Sequence, residues 1–501
     1  MKKINYIIAV VISTVLIFSQ LGCSDETFDV ENINAPDTKR ALAQAEDVEN
    51  LLVGAFRDFF RTSSGFSAIF PNLLADQTST TNAYQAFWDY SKEKDGKIAI
   101  YNHPTNQNPG AYTIPFADFN ANIQTVNSIL GLIAGGTSYE ISEEDVTDKF
   151  KAICLATRGL SLGTLGCLYD KGYVATEGSN LETLELKPYG ELIGQAIKDI
   201  DEAIMVINSL GNEVTFELHS SIDLNSETLI ELLNSFAAKF LLSEARTSQE
   251  ASGLDYTKII AYAKNGITSD FKPDALEDVF FSNLQDWSTY TLADGAGYLP
   301  TDIKIPHLMD SSGTYPDTYP TDSNIILDPV ESDDARISYF GYASAFGYLR
   351  ESRGRWLFTN YKNNRFYSDN NRNQSGIPVN IFHKAELDYI LAEAYLMTNQ
   401  LSEAKNLLDN SPRVTVGGLP PVDLTESAIR HAIFYEYSVE LDLASTIGTQ
   451  WFFMRRYDLL QQGTPLHYPV PATELELTGV DFYSFGGSSA EGTASGANSW
   501  R

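Results

Sequence analysis

The residues of this chain best suited to chemistry are aromatic rings set beside amides and carboxylates. Tyr84 and Trp88 stand four positions apart, with Asp76, Asn82, Gln85 and Asp89 close to them in the chain. Trp287 and Tyr290 form a second group with Gln285 and Asp286. A flat ring stacks on the C–H face of a sugar, and the sugar hydroxyls then need amide or carboxylate partners beside that ring. Both groups meet the requirement. Core packing is the other reading of each, since large aromatics are buried in most folds.

Chemistry of other kinds finds little support. The chain has no phosphate loop, no G-x-G-x-x-G, no G-x-S-x-G and no H-E-x-x-H. Its six histidines, at 103, 219, 307, 383, 431 and 467, do not pair at helical spacing, so no histidine-built metal site is expected. Asp369 to Gly376 alternates like a calcium loop, but Gln374 replaces the turn glycine and Asn380 the bidentate glutamate. A solvated loop is expected there and in the acidic segment 310–334. Glu436 and Glu440 share one helix face and Arg455 and Arg456 follow, which predicts a structural ion-pair network. Spacing singles out no carboxylate pair for glycoside hydrolysis. No catalytic residue, metal or cofactor is therefore assigned, and an unidentified hydrolase stays as the competing class.

The elements that must position these residues are helical. Phe382 to Arg413 contains two helices: Leu387, Leu391 and Ala394 make one apolar stripe, and Ala404, Leu407 and Leu408 make another. Ser402 is the expected cap of the second and Pro412 its expected stop. Ala392, Tyr395 and Ala404 have the spacing of a tetratricopeptide-type repeat. Similar pairs are predicted from Asp148–Asp170 with Tyr189–Asn208, and from Leu229–Ala245 with Tyr256–Asn265. A further helix spans Asp118–Gly131, and a long one starts near 426 with Asp423 as its expected cap. The predicted fold is mainly α, a tetratricopeptide-like helical-pair scaffold (an α-α superhelix) with a large irregular, loop-rich insert. Helical parts cover 41–267 and 379–480, the insert 268–378, and a loose tail 481–501. Cys154 and Cys167 fall in one predicted helix about 20 Å apart, too far for a disulfide, and read as buried thiols.

The net charge of −31 repels phosphate backbones and anionic membranes, so nucleic acid is excluded as a partner. Residues 1–22 begin with Lys2 and Lys3 and continue in an apolar run too short for a comfortable span, the pattern of a signal peptide. Leu21-Gly22-Cys23 resembles a bacterial lipoprotein cleavage site, which would make Cys23 a lipidated N-terminus at the head of a polar tether over 23–40. Gln20 stands where that pattern has Leu. Ser24-Asp25-Glu26 resembles a surface-export signal of bacterial lipoproteins.

Several segments together resemble the SusD/RagB family of outer-membrane nutrient-binding lipoproteins. Glu49 to Phe56 and Leu74-Ala75-Asp76 are similar to its first helix and the segment after it. Ile123 to Leu130 is similar to its Asn-containing helix, and Ile377-Pro378-Val379 leading to Ala392-Glu393-Ala394-Tyr395 to its repeat. Glu436, Glu440, Trp451, Arg455, Arg456, Pro469-Val470-Pro471 and Glu474-Leu475 are similar to its closing motif. Tyr437 replaces an Arg, the Glu-Gly before the Trp is missing, about three extra residues precede Trp451, and Arg413 to Gly418 replaces an Arg-Ala-Gly segment. These departures mark a divergent member and carry over no ligand identity. The resemblance implies a non-catalytic, surface-exposed outer-membrane lipoprotein, lid of a SusC-like TonB-dependent transporter. Its ligand would be an oligosaccharide, or in some members a peptide; the candidate contacts Asp76, Asn82, Tyr84, Trp88, Trp287 and Tyr290 come from the residue types above and not from the resemblance. A lipid-anchored hydrolase and a peptide- or protein-binding tetratricopeptide-like adaptor are the alternatives.

Acyl chains contribute about 0.8 kcal/mol per buried CH₂, enough in combination to hold even an acidic protein on a membrane. Cys23→Ala should therefore leave the protein folded but detached. Its continued fractionation with outer membranes in cells lacking any partner would contradict the lipid anchor.

Overall fold

The structure, a computed structural model, describes residues 42–91, 97–212, 214–218, 224–273, 296–322, 325–344, 347–357, 359–366, 381–444, 446–487 and 491–501. Cys23, Trp287, Tyr290 and the Asp369–Gly376 loop lie outside the described residues. The chain divides into two units, Met1–Val48 and Glu49–Arg501, and the scaffold belongs to the second.

The main helices are α1 (Ala45–Ser64), α2 (Gly110–Ala134), α3 (Thr147–Leu168), α4 (Tyr189–Leu210), α5 (Ser226–Ser243) and α6 (Tyr256–Lys264). After the insert come α7 (Lys384–Met397), α8 (Leu401–Asp409), α9 (Glu426–Val439) and α10 (Thr449–Arg456). From α2 to α8 each packs on the next, and α7 and α8 both pack on α9. This is the stacked helical-pair architecture that the periodicity predicts. Ala392 and Ala404 are fully buried at the α7–α8 contact, with Tyr395 beside them, as the repeat spacing requires.

Helix α3 is the centre of the stack, buried on every side from Ala152 to Leu168. Its neighbours come so close that a Cβ on Gly163 would sit 2.2 Å from the Phe240 ring of α5, and one on Gly159 2.9 Å from Ile200 of α4. Cys154 and Cys167 are buried free thiols in this helix. Its last carbonyls have no helical partner, and two buried guanidinium groups take them. Arg246 donates to Cys167 O at 2.7 Å and Gly166 O at 2.5 Å, and Arg455 to Cys167 O at 2.9 Å. Arg455 also reaches Ser243 O at 2.7 Å and Leu466 O at 2.8 Å.

The ion-pair network expected around Glu436 and Glu440 exists with other partners. Arg336, from the insert, lies between Asp334 (2.7 Å), Glu436 (2.6 Å) and Glu440 (3.1 Å), all buried. Arg365 donates to Glu440 at 2.5 Å, His383 links Glu440 to Asp270, and Tyr389 donates to Glu436 at 2.9 Å. Arg456 pairs with Glu393 of α7, while Arg455 is committed to the carbonyls above. Helical spacing places Glu436 and Glu440 on one face but says nothing about an arginine a hundred residues earlier. Tyr437 stacks on Phe453 at 4.1 Å and accepts from Arg456 at 3.3 Å.

The insert is short of regular structure but has its own core. Strands β1 (Phe340–Tyr342) and β2 (Tyr361–Asn363) pair antiparallel. Phe340 and Tyr361 pack with Ile305, Met309 and the α9 residues Tyr435 and Val439. Asp310 accepts the backbone N–H groups of Ser312, Thr314 and Tyr315, which closes its loop. No group of His, Cys, Asp and Glu among the described residues could hold a metal ion. No described helix is long and apolar enough to cross a membrane.

Four expectations are corrected. Thr425, whose hydroxyl accepts from Ala428 N, caps α9 in place of Asp423, and Gln400 precedes α8 in place of Ser402. Pro412 does not stop α8, which ends at Asp409; it opens a short helix capped by Ser411, where its missing N–H costs nothing. The segment after Val480 is not loose over its described residues. Ile100 N donates to Phe485 O at 2.7 Å, Leu466 N to Gly492 O at 2.9 Å and Trp500 N to Leu459 O at 3.1 Å. Composition shows few apolar residues there, but backbone pairing does not need them.

Removing one partner of a buried ion pair strands the other, typically at about 3–5 kcal/mol. Arg336→Met should destabilise on that scale. Combined with Glu440→Gln its loss should be sub-additive, whereas Arg455→Met with Glu440→Gln should add within about 0.5 kcal/mol. Denaturant unfolding of both cycles checks this pairing, and coupling in the second cycle alone would refute it. Glu440 also sets an acid limb. Burial opposes its charge, but the His383 hydrogen bond and the charges of Arg365, His383 and Arg336 outweigh that and hold it at about 2 against an ordinary 4.5. A depressed folded pKa gives stability present above the ordinary value and lost as pH falls through the folded one. The wild type should therefore lose more stability than Glu440→Gln between about pH 5 and pH 2. Equal losses would show that Glu440 is not charged in the fold.

Candidate functional site

The first aromatic group is placed by extended backbone. Thr78 bridges Thr301, Ser79 N donates to Pro300 O at 3.0 Å, and Thr80 Oγ1 donates to Tyr298 O at 2.8 Å. This pairing brings Asn82 against Tyr298, whose hydroxyl accepts from Asn82 Nδ2. Asn82 then folds the chain back on itself. Its Oδ1 accepts Tyr84 N–H at 3.1 Å and its carbonyl accepts Trp88 N–H at 2.8 Å.

Tyr84 and Trp88 are not on one continuous helix. Gln85 (φ 52) and Ala86 (φ 60) adopt the left-handed region within the turn Tyr84–Ala86 that leads into the short helix Phe87–Ser91. Such backbone is unfavourable for residues with a Cβ and is kept where surrounding structure enforces it. Here Phe87 and Tyr90 are driven into the core while Trp88 stays half-buried and Tyr84 is 53% exposed. Tyr84 rests edge-on against Phe66 at 5.1 Å. The Arg353 guanidinium lies 4.6 Å from the centre of the Trp88 ring, held there by its bond to Thr81 O. Arg350 N donates to Thr81 Oγ1 at 2.9 Å and fixes the same loop.

The structure thus unites Asn82, Tyr84 and Trp88 and adds Tyr298 and Arg353. Sequence reasoning missed the last two because they sit in irregular segments more than two hundred residues away. The run Glu351-Ser352-Arg353-Gly354-Arg355-Trp356, arginines beside an aromatic, was the available signal. Asp76 is not beside the rings. It is 1% exposed and accepts from Lys97 (2.9 Å), Gln461 (2.7 Å) and the Trp500 indole (2.7 Å). Burial would raise its pKa, but Lys97, Arg501, Lys304 and the Trp500 hydrogen bond hold it at about 2. Its task is to anchor the segment, at a left-handed φ of 51.

Two other buried carboxyls near this segment are shifted the other way. Burial and the neighbouring Asp76 charge push Asp302 up, and burial pushes Asp442 to about 6 despite hydrogen bonds from Asn363 and Gln77. Both are sealed from solvent. A separate cleft of ≈ 1390 Å³ opens beside α2, with Gln124, Ser128, Tyr173, Glu177, Glu474 and Tyr483 among its lining residues.

Solved structures share this architecture. A SusD-like protein from Bacteroides fragilis superposes with a TM-score of 0.58 at 12% identity, covering 84% of this chain and 87% of its own. A SusD superfamily protein from Bacteroides vulgatus gives 0.56 at 14% identity, with 84% and 89% covered. The chain has the SusD-like fold. A SusD-like carbohydrate binding protein, also from Bacteroides vulgatus, gives 0.55 at 16% identity with 84% and 85% covered. No protein-family model and no curated protein matches the chain. The SusD-like fold is therefore carried by a sequence far diverged from these structures, and its site has to be argued from its own residues.

Proposed function

We propose that this protein binds a neutral oligosaccharide by stacking it on Tyr84 and Trp88, and that it performs no chemistry on the ligand. The observation that carries the reading is the preorganised group itself. An exposed tyrosine, a half-buried indole under a guanidinium, and amide and phenol groups lie together on strained backbone. That is the donor-rich aromatic surface a sugar ring requires. One protein that shares this fold is a SusD-like carbohydrate binding protein from Bacteroides vulgatus, which supports the same ligand class. The raised carboxyls Asp302 and Asp442 are buried, so they offer no acid to a glycosidic bond. In this reading Cys23 holds the protein on the outer membrane and a SusC-like TonB-dependent transporter receives the ligand. The signal-like leader and the fold support that setting.

Truncating an aromatic anchor commonly costs about 2 kcal/mol or more of binding, a tens-fold loss of affinity. Trp88→Ala should show that loss with a melting temperature lowered by only a few degrees, because the indole is half-exposed. Affinity gels and thermal melts on one preparation separate the outcomes. Unchanged affinity in a folded variant would remove Trp88 from the site. A collapse of the melting temperature would make it a core residue.

A further inference from the structure

A second set of rings stands in the open on the segment after the short helix Phe87–Ser91, where the Tyr101 backbone hydrogen-bonds the Tyr90 hydroxyl. Tyr101 is 58% exposed and Phe482 41%, with His103 half-exposed between them. Tyr101 and His103 are nearly parallel, 13° apart with centroids at 5.8 Å, and Phe482 meets the His103 ring edge-on at 5.2 Å. Exposed rings usually turn freely, but Tyr101 and His103 are held through Thr105. His103 Nδ1 accepts the Thr105 N–H at 3.2 Å and lies 2.8 Å from Thr105 Oγ1. The Thr105 hydroxyl therefore donates to the imidazole and accepts from Tyr101 OH at 2.9 Å. Nδ1 being the acceptor leaves Nε2 as the nitrogen that carries the hydrogen in the neutral ring.

The backbone beneath is fixed just as firmly. The Tyr101 carbonyl accepts from Asn106 Nδ2 at 2.7 Å and Tyr112 OH at 3.0 Å. Asn102, buried between the rings in sequence, donates to Val470 O at 2.9 Å and Tyr483 O at 2.8 Å and accepts from Ala472 N at 2.8 Å. Those bonds, with Ile100 N to Phe485 O, keep Phe482 beside His103 although the two are far apart in sequence. Tyr483, the next residue, lines the ≈ 1390 Å³ cleft, whose walls carry amides and hydroxyls from Asn120, Gln124, Ser128 and Thr183.

We propose that Tyr101, His103 and Phe482 form a second saccharide-stacking platform, separate from Tyr84 and Trp88, on which a longer glycan rests beside the cleft. The proposal rests on the glycan-binding reading. Rings held in place lose little entropy on binding, and flat faces flanked by a phenol and an imidazole suit the alternating C–H and hydroxyl surface of a pyranose. An acidic protein of this charge favours neutral sugars over anionic ones. Two weak sites on one polymer raise avidity without any new contact, so the platform matters most for long chains.

The test uses the whole protein with amylopectin, laminarin, xylan, galactomannan, mannan and levan in affinity gels, and calorimetry with short oligomers of whichever polymer binds. Tyr101→Ala and Phe482→Ala should each melt within about 2 °C of wild type, since both rings are exposed. Each should weaken polymer binding about ten-fold and leave short-oligomer binding at the Trp88 site nearly unchanged. Trp88→Ala should weaken both. Full polymer affinity in both ring variants, with Trp88→Ala still impaired, would overturn the platform and leave the first site standing. Loss of short-oligomer binding in Tyr101→Ala equal to that in Trp88→Ala would merge the two into one site and also overturn it. No binding of any polymer by wild type would overturn both proposals together.

Discussion

One buried arginine decides how the irregular insert sits on the helical scaffold. Arg336 has no exposure and three carboxylate partners, one from its own turn and two from α9. An ion buried this way is stabilising only when every donor is used, because its desolvation cost is several kcal/mol. The site meets that condition. Asp334, Glu436 and Glu440 surround the guanidinium, and Tyr435, Tyr389, Arg365 and His383 satisfy the remaining carboxylate lone pairs. Small shifts of the insert would break several charge-assisted bonds together, so the network specifies one docking geometry.

That geometry reaches the surface through Gln77. Its side-chain amide donates to Ser438 O of α9 and to Asp442 just beyond it, both at 3.0 Å, and its backbone carbonyl accepts Asp302 N at 2.9 Å. From there the paired segments 78–80 and 298–301 carry order outward to Asn82, Tyr298, Tyr84 and Trp88. Asp76 secures the other end of the segment against Lys97, Gln461 and Trp500. The rings that face solvent are thus placed by buried charge, and the strain at Gln85 and Ala86 is held by the same supports. A recognition surface built on loops gains rigidity from such a foundation.

The helical scaffold was legible in the sequence because a 3.6-residue period writes itself locally. The repeat spacing at Ala392, Tyr395 and Ala404, and the stripes of α3 to α9, needed no knowledge of distant residues. Helix ends were less legible, since Thr425 and Asp423 are both good caps and only the chain path chooses between them. The aromatic pair Tyr84 and Trp88 could be named, but its partners Tyr298 and Arg353 arrive across the insert and leave no spacing to read. Asp76 shows the same limit in reverse. A carboxylate near aromatic residues in sequence looks like a ligand contact, and only the fold reveals Trp500 and Lys97 closing over it. The platform at Tyr101 and Phe482 joins two segments that composition marks merely as polar loop and tail.

The proposed role requires the protein to hold a neutral glycan and return it unchanged. The most direct measurement is calorimetric titration of the wild-type protein with size-defined neutral oligosaccharides, followed by chromatography of the recovered ligand. The expected result is saturable binding of at least one oligosaccharide and its recovery at the original length after prolonged incubation. Steady accumulation of shorter products, or heats indistinguishable from dilution across the whole series, would contradict it.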